Sequence, residues 1–347
     1  MRIERALCVK VSRWVVALSL VAVLLVGCGS GSGEGTADGS GRKVAKKLRS
    51  VSLTLEGYPD AENVGVLMAD QQGYFAEAGL DVDVLHPVDS DNVPEYIASE
   101  GDDFGLLPLP EVVMARGRGM PLVAIGSLVQ RPTMAVIWPR RSKIDSLADL
   151  KGKTIAINGF PFEEAFLRAL LAEAGLTSDD VKVKSVSYNL VPALIKGRAD
   201  AIFGSGNVEG IELEARGLKP VVTPLQRFGI PFYEELVMVT QTKRLAGNPQ
   251  WLRRFMSAVA RGTAAAVKDP EAAAAAIIAA RKKLELPAAK PKLVTDKVKA
   301  TLPLLASTTR MSSRRATHLV EWMREQGLIQ KKLPAAALLT NRYVISS

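Results

Sequence analysis

Short apolar runs rich in Val, Ile and Leu alternate along this chain with longer amphipathic stretches. Runs over Val51–Leu55, Val82–Leu85, Phe104–Leu107 and Val123–Leu128 predict four strands. A second series over Thr154–Ile157, Val181–Val186, Ala201–Phe203 and Val221–Thr223 predicts four more. The amphipathic stretches end at Gly73, Gly79, Gly175, Gly197 and Gly217, and glycine is the residue that most readily takes the left-handed backbone after a helix. Alternation of this kind predicts an α/β fold of parallel sheets with helices on both faces.

The two series are written on one plan. Ala76-Glu77-Ala78-Gly79-Leu80 recurs as Ala172-Glu173-Ala174-Gly175-Leu176, an offset of 96 residues. Gly101-Asp102-Asp103-Phe104 is echoed by Gly197-Arg198-Ala199-Asp200-Ala201, and Gly57-Tyr58-Pro59 by Gly159-Phe160-Pro161. Two βαβ lobes follow. Thr133–Trp138 and Glu235–Thr240 read as strands crossing between them, a two-stranded hinge of the sort that lets lobes close on a guest. The expected division is lobe one over 50–138 and 235–347, and lobe two over 139–234. Helices are expected from Asn248-Pro249, from Asp269-Pro270 and over Ser312–Gln326, all packed on lobe one, with Trp251 and Trp322 as packing residues.

Ahead of the lobes stands an apolar run of 13 residues, Trp14 to Val26, preceded by Arg2, Arg5, Lys10 and Arg13. It is short for a membrane span and suits a secretory signal over 1–27. Leu25-Val26-Gly27-Cys28 resembles the bacterial lipobox, which implies lipid on Cys28 and a protein held on the outer face of the cell membrane. Residues 28–49 then form a flexible tether, Gly- and Ser-rich at first and basic at its end (Arg42, Lys43, Lys46, Lys47, Arg49).

Charge changes the picture once it is located. Of the formal +9, residues 1–27 carry +3 (four basic, one acidic) and 28–49 another +3 (five basic, two acidic), which leaves +3 for the lobes. The basic balance therefore gives no argument for nucleic acid. Cys8 falls in the signal and Cys28 at the lipid site, so the lobes hold no cysteine for a disulfide, thiolate or nucleophile. His86 and His318 are the only histidines, too few for a zinc site. No metal and no cofactor is expected.

In open parallel sheets ligands gather at the carboxyl ends of strands. That rule places Tyr58 and Phe160 on facing walls of an inter-lobe cleft, with Phe162 as a third ring. Asn63, Asn207 and Glu209 are the expected hydrogen-bonding groups, and Gln130 and Tyr233 reach in from the crossings. Leu109 and Pro110 are the expected apolar floor, and Glu111 stabilises its own helix N-terminus. Arg116, Arg118, Arg131 and Arg168 fall in no distinctive anion motif.

The segment Ser142-Lys143-Ile144-Asp145-Ser146-Leu147-Ala148-Asp149-Leu150-Lys151-Gly152-Lys153-Thr154-Ile155-Ala156-Ile157 resembles a signature of type II solute-binding proteins of ABC importers. Gly73-Tyr74-Phe75 with Gly79-Leu80-Asp81-Val82, Tyr188-Asn189-Leu190-Val191-Pro192-Ala193-Leu194 and Pro231-Phe232-Tyr233-Glu234-Glu235-Leu236-Val237 are similar to segments of the NMT1/THI5-like branch, over roughly residues 48–285. The resemblance implies the type II periplasmic-binding-protein fold and a monomeric receptor that hands a small solute, such as a thiamine pyrimidine precursor, to an ABC permease. Two departures concern the ligand. Where that branch has D-W-x-P-N and a nearby histidine, this chain has Glu56-Gly57-Tyr58-Pro59-Asp60 and Asn63; where it has N-W-E, this chain has Asn207-Val208-Glu209. Riboflavin-like, sulfonate-like and nitrate-like ligands therefore stay open, as does a lipoprotein whose cleft no longer binds. An enzyme branch of the family implies a histidine and bound pyridoxal phosphate, but here Asn63 replaces the histidine and no lysine stands at a predicted strand end in the cleft.

Overall fold

The computed structural model describes residues 47–87, 92–99, 101–306 and 308–344, which form one compact unit. The signal run, Cys28 and the tether up to Lys46 lie outside the described residues.

Among the described residues ten strands make two five-stranded sheets. The first holds β1 (Arg49–Thr54), β2 (Leu80–Leu85), β3 (Phe104–Leu107), β4 (Leu122–Val129) and β10 (Leu236–Gln241), in the order β2-β1-β3-β10-β4. The second holds β5 (Met134–Pro139), β6 (Thr154–Ile157), β7 (Lys182–Ser185), β8 (Ala201–Ser205) and β9 (Pro220–Pro224), in the order β7-β6-β8-β5-β9. The orders match position by position, so the echoes in sequence are echoes in topology. Each sheet takes its fourth strand from the other series. β10 runs antiparallel to β3 and β4, and β5 runs antiparallel to β8 and β9. The expectation of purely parallel sheets is corrected accordingly: each crossing strand enters its host sheet from the opposite end. The boundary drawn after Trp138 also moves, because Met134–Pro139 pairs wholly within the second sheet.

Burial follows the pattern of the chain. β3, β4, β5 and β10 are buried at every position, as strands covered on both faces must be. β2 alternates buried Leu80, Val82 and Val84 with exposed Asp81 and Asp83. β7 is an edge strand exposed along its length, and its lysines discourage pairing with another chain. Arg49, assigned to the tether, is the first residue of β1, pairs in register with Leu80, and its guanidinium lies 4.1 Å over the Trp251 ring.

The helices are α1 (Val64–Gln71), α2 (Tyr74–Glu77), α3 (Val93–Ala98), α4 (Leu109–Gly117), α5 (Glu163–Glu173), α6 (Leu190–Ile195), α7 (Ile211–Ala215), α8 (Gln250–Lys268), α9 (Pro270–Lys283), α10 (Pro291–Thr301), α11 (Ser313–Glu325) and α12 (Ala335–Leu338). Asp269 caps α9 by accepting from the Ala272 amide at 2.9 Å, and Ser312 caps α11 by accepting from the Arg315 amide at 3.3 Å. α8 starts later than expected: Asn248 takes a left-handed φ of 49° in the preceding turn, and Pro249 is the capping position. α8 packs along α1 so closely that a Cβ on Gly262 would fall on the Gly65 carbonyl oxygen.

The C-terminal helices do not all stay with lobe one. Trp322 on α11 meets Phe166 on α5 edge to face, ring centroids 5.2 Å apart, within an apolar core that runs through the hinge into lobe two. α10, which the sequence pattern did not single out, packs on α9 and also on α7 of lobe two.

Candidate functional site

The carboxyl ends of β1, β3, β6, β7 and β8 all deliver their following loops to one cleft of about 620 Å³ between the lobes, within the usual range for a small-molecule site. Lobe one contributes Glu56 to Glu62 and Pro108. Lobe two contributes Asn158, Phe160, Phe162, Glu163, Tyr188, Ser205 and Glu209, and the crossings contribute Met134, Glu235 and Leu236.

Aromatic rings form part of the wall. Tyr58, 38% exposed, meets Tyr188 across the cleft, ring centroids 4.9 Å apart and tilted by 45°. The Tyr188 hydroxyl donates to the Glu56 carbonyl oxygen at 2.9 Å, a direct bond between lobes. Gly57 makes this approach feasible, since a Cβ there would lie 2.8 Å from the Tyr188 ring. Phe160 stacks on Phe162 with centroids 5.7 Å apart and planes 13° apart.

Carboxylates form the rest. The Glu163 side chain accepts from the Gly159 and Phe160 amides (2.7 and 2.9 Å) and from Asn158 Nδ2 (3.2 Å). Glu209 accepts from the Ser205 amide at 2.7 Å, and Glu235 from the Thr133 amide at 2.6 Å, which ties the two hinge passes together. Glu56 accepts from Asn63 Nδ2 at 3.3 Å through Oε1, while its Oε2 is buried with no hydrogen-bond partner. Burial pushes Glu56 and Glu163 up to about 8, and Glu209 and Glu235 up to about 7; the charge of Asp60 adds to the rise at Glu56. Burial also raises Glu62, with Asp60, Glu235 and Glu56 adding to it.

Four cationic side chains line the same cleft, each already engaged or at its rim. Lys297 and Arg216 both bind Glu212 at 2.8 Å. Arg281 donates to the carbonyls of Pro59 (3.4 Å) and Pro287 (3.1 Å), and Lys290 is exposed. Carboxyl groups outnumber cations seven to four along this lining, and six of the seven are held by neutral donors alone. Such a wall suits a flat guest with N–H donors around its edge.

The NMT1/THI5-like family profile matches residues 60–273, more than half of the chain. The chain belongs to the NMT1/THI5-like family. Among relatives of this family member, a putative thiamine biosynthesis protein of Haemophilus influenzae is 30% identical over 82% of this chain and 89% of its own length. A formylaminopyrimidine-binding protein of Halalkalibacterium halodurans is 31% identical over 65% of this chain and 69% of its own. A 4-amino-5-hydroxymethyl-2-methylpyrimidine phosphate synthase of Aspergillus parasiticus is 31% identical over 59% and 63%. Among solved structures, the alkanesulfonate-binding protein SsuA of Xanthomonas axonopodis superposes with a TM-score of 0.67, covering 85% of this chain and 99% of that one at 15% identity. The likeness establishes the type II periplasmic-binding-protein fold.

Of the ten ligand contacts expected in this NMT1/THI5-like chain, Tyr58, Phe160, Phe162 and Glu209 line the cleft. The other six are placed elsewhere. Asn63 is fully buried and staples the loop that carries Tyr58, donating to Tyr58 O at 3.3 Å as well as to Glu56. Leu109 and Pro110 open α4 and turn into the core, leaving Pro108 as the floor residue. Gln130 donates to the carbonyls of Thr308 (2.7 Å) and Arg310 (2.9 Å), anchoring the C-terminal segment. Asn207 bridges Glu62 and Thr301. Tyr233 is fully buried against Phe166, centroids 5.8 Å apart. The pattern had missed Glu56, Glu163, Tyr188 and Glu235. Glu163 stands four residues after the Gly159 turn and Tyr188 opens the run already compared with the family, so the spacing from strand ends was the signal available. Lys297 does line the cleft, from α10 rather than from a strand end.

Proposed function

We propose that this protein is an extracytoplasmic solute-binding receptor of an ABC importer, lipid-anchored through Cys28, that closes on a small planar nutrient of the aminopyrimidine class. One observation carries the ligand assignment: rings from both lobes and carboxyl groups from both lobes and the hinge line a single inter-lobe cleft. A ring lies on the aromatic faces, and its amino and imino hydrogens find carboxyl acceptors, among them Glu56 Oε2, which is buried without a donor. The family name and the formylaminopyrimidine-binding relative support the same class. An alkanesulfonate or nitrate ion would meet an excess of carboxyl groups instead.

Titration calorimetry of the purified chain with formylaminopyrimidine and with its 4-amino-5-hydroxymethyl analogue tests the reading. Saturable one-to-one binding of either is expected, with none of alkanesulfonates or nitrate; the reverse pattern overturns it. Tyr58→Ala and Phe160→Ala are expected to weaken that binding roughly two- to tenfold each, the worth of one stacked ring, with melting temperatures unchanged. Mass spectrometry of protein made in a lipoprotein-processing bacterium tests the anchor: a diacylglyceryl-modified Cys28 at the mature N-terminus is expected, and Cys28→Ser releases the protein from membranes.

A second reading, a synthase like the fungal relative, is favoured by Lys297 in the cleft. Against it, the ammonium of Lys297 is engaged by Glu212 at 2.8 Å. A protein-bound chromophore after incubation with pyridoxal phosphate would favour the synthase.

A further inference from the structure

We propose that α10 and the loop leading into it are a clasp, an arm of lobe one that grips lobe two through Lys297 and Thr301 and must let go before the cleft opens. The proposal rests on the cleft being the binding site, but not on which solute it takes.

The arm lies beyond residue 273, where the family profile ends. It is fastened to lobe one by packing on α9 and by the Lys299–Glu271 ion pair at 2.8 Å. Its inner face walls the cleft with Ala289, Lys290, Leu293 and Val294. Farther along the same face it rests on α7 and on the turn Gly206–Gly210 of lobe two.

Two catches span that contact. Lys297 Nζ pairs with Glu212 Oε2 at 2.8 Å, with the side chains 17% and 19% exposed, so water screens the pair far less than a surface ion pair. Thr301 Oγ1 accepts from Asn207 Nδ2 at 2.8 Å and donates to the Lys297 carbonyl at 2.8 Å. The same Asn207 Nδ2 donates to Glu62 Oε1 at 3.1 Å. One amide of lobe two thus holds both the arm and a cleft-lining carboxyl of lobe one. Asn207 is a positioning residue: it fixes Glu62 for the guest only while the lobes are shut.

The two sides of the cleft differ in kind. At the hinge, the lobes share a continuous apolar core through Phe166, Tyr233 and Trp322, which is costly to part. At the clasp they share polar bonds that water can replace. Opening by rotation about the hinge core would break the clasp and leave the core intact.

Hydrogen exchange of the full chain without ligand tests this. Lys297→Met and Thr301→Val are each expected to speed amide exchange in both cleft walls, residues 56–63 and 206–216, on the order of tenfold, with the sheets unchanged. Thr301→Ser keeps the hydroxyl and is expected to behave as wild type. Lys297→Met and Glu212→Gln together are expected to do no more than either alone, as for one shared bond. Faster exchange confined to α10, or none, overturns the clasp, and so does the same loss in Thr301→Ser. The dissociation rate of a bound aminopyrimidine is expected to rise by a similar factor. Opening without any aminopyrimidine binding would uphold the clasp and sink the ligand assignment.

Discussion

Ligand-free protein is expected to melt at a lower temperature at pH 8 than at pH 5. The cause is the cleft. Glu56 and Glu163 hold their protons up to about 8, and Glu209 and Glu235 up to about 7, whereas an unfolded glutamate releases its proton near 4.5. Between those values the folded chain binds more protons than the unfolded chain, so stability falls as pH rises. The contribution is whole below the unfolded value and is lost as pH passes through 7 to 8. One retained proton changes stability by about 1.4 kcal/mol per pH unit. Because neighbouring carboxyls relieve one another, a net loss on the order of 3 kcal/mol from pH 5 to pH 8 is expected, roughly 6 °C in melting temperature. Glu163→Gln removes one of the protons and is expected to flatten the dependence. Thermal melts across this range decide the matter: a flat profile would mean that these groups are ionised in the folded protein.

The same linkage bears on the ligand. A guest that donates hydrogen bonds to ionised carboxylates takes over the work of the protons. Its stabilising effect is therefore expected to grow from pH 5 to pH 8, because ligand binding raises stability by its affinity for the folded state alone. An anionic guest would show the opposite trend.

What could be read from the chain divides along physical lines. Most strands were legible because they are short apolar runs bounded by turn residues, the exposed, lysine-bearing β7 being the exception, and the glycines proposed as helix ends do take left-handed φ values: 71° at Gly73, 68° at Gly175 and 63° at Gly197. The doubled plan was legible because matched capping sequences recur at one offset. Strand direction was not. Nothing in Met134–Pro139 or Leu236–Gln241 records that each pairs antiparallel in its host sheet, since that is decided by the end from which the chain arrives.

The site divides in the same way. Tyr58 and Phe160 could be assigned to the cleft lining because aromatic rings at strand ends are uncommon in this chain. Asn63 and Asn207 were read as ligand contacts because an amide serves a heterocycle and a loop equally well; here both hold loops instead. Glu163 looked like an ordinary first-turn helix acid. Only the fold shows that it is fully buried, turned back onto the Gly159 and Phe160 amides and set in the cleft wall. α10 went unseen because its apolar positions are few: Val294 and Val298 reach the core of lobe one, and lysines and threonines fill most of the rest of the helix.

Tyr188→Ala is expected to cost the most affinity of any single change in the cleft, about a hundredfold. Tyr188 does two things at once. Its ring lies 4.9 Å from that of Tyr58, so that a flat guest finds an aromatic contact on either side of the closure. Its hydroxyl bonds the Glu56 carbonyl across the gap, so the shut state loses a lobe-to-lobe link with it. Truncating a large, centrally placed aromatic commonly costs 2 kcal/mol or more in binding, about thirtyfold, and the lost hydrogen bond adds about 1 kcal/mol. Tyr188→Phe keeps the ring and should lose only several-fold. Gly57→Ala tests the geometry without touching either tyrosine: its new methyl would sit 2.8 Å from the Tyr188 ring, pushing the ring off its partner. It is therefore expected to approach the loss seen in Tyr188→Ala while the melting temperature of the ligand-free protein stays within a few degrees of wild type. Calorimetric titration of the three variants separates the effects. Wild-type affinity in Gly57→Ala would show that the two rings need not meet for the cleft to close on its guest.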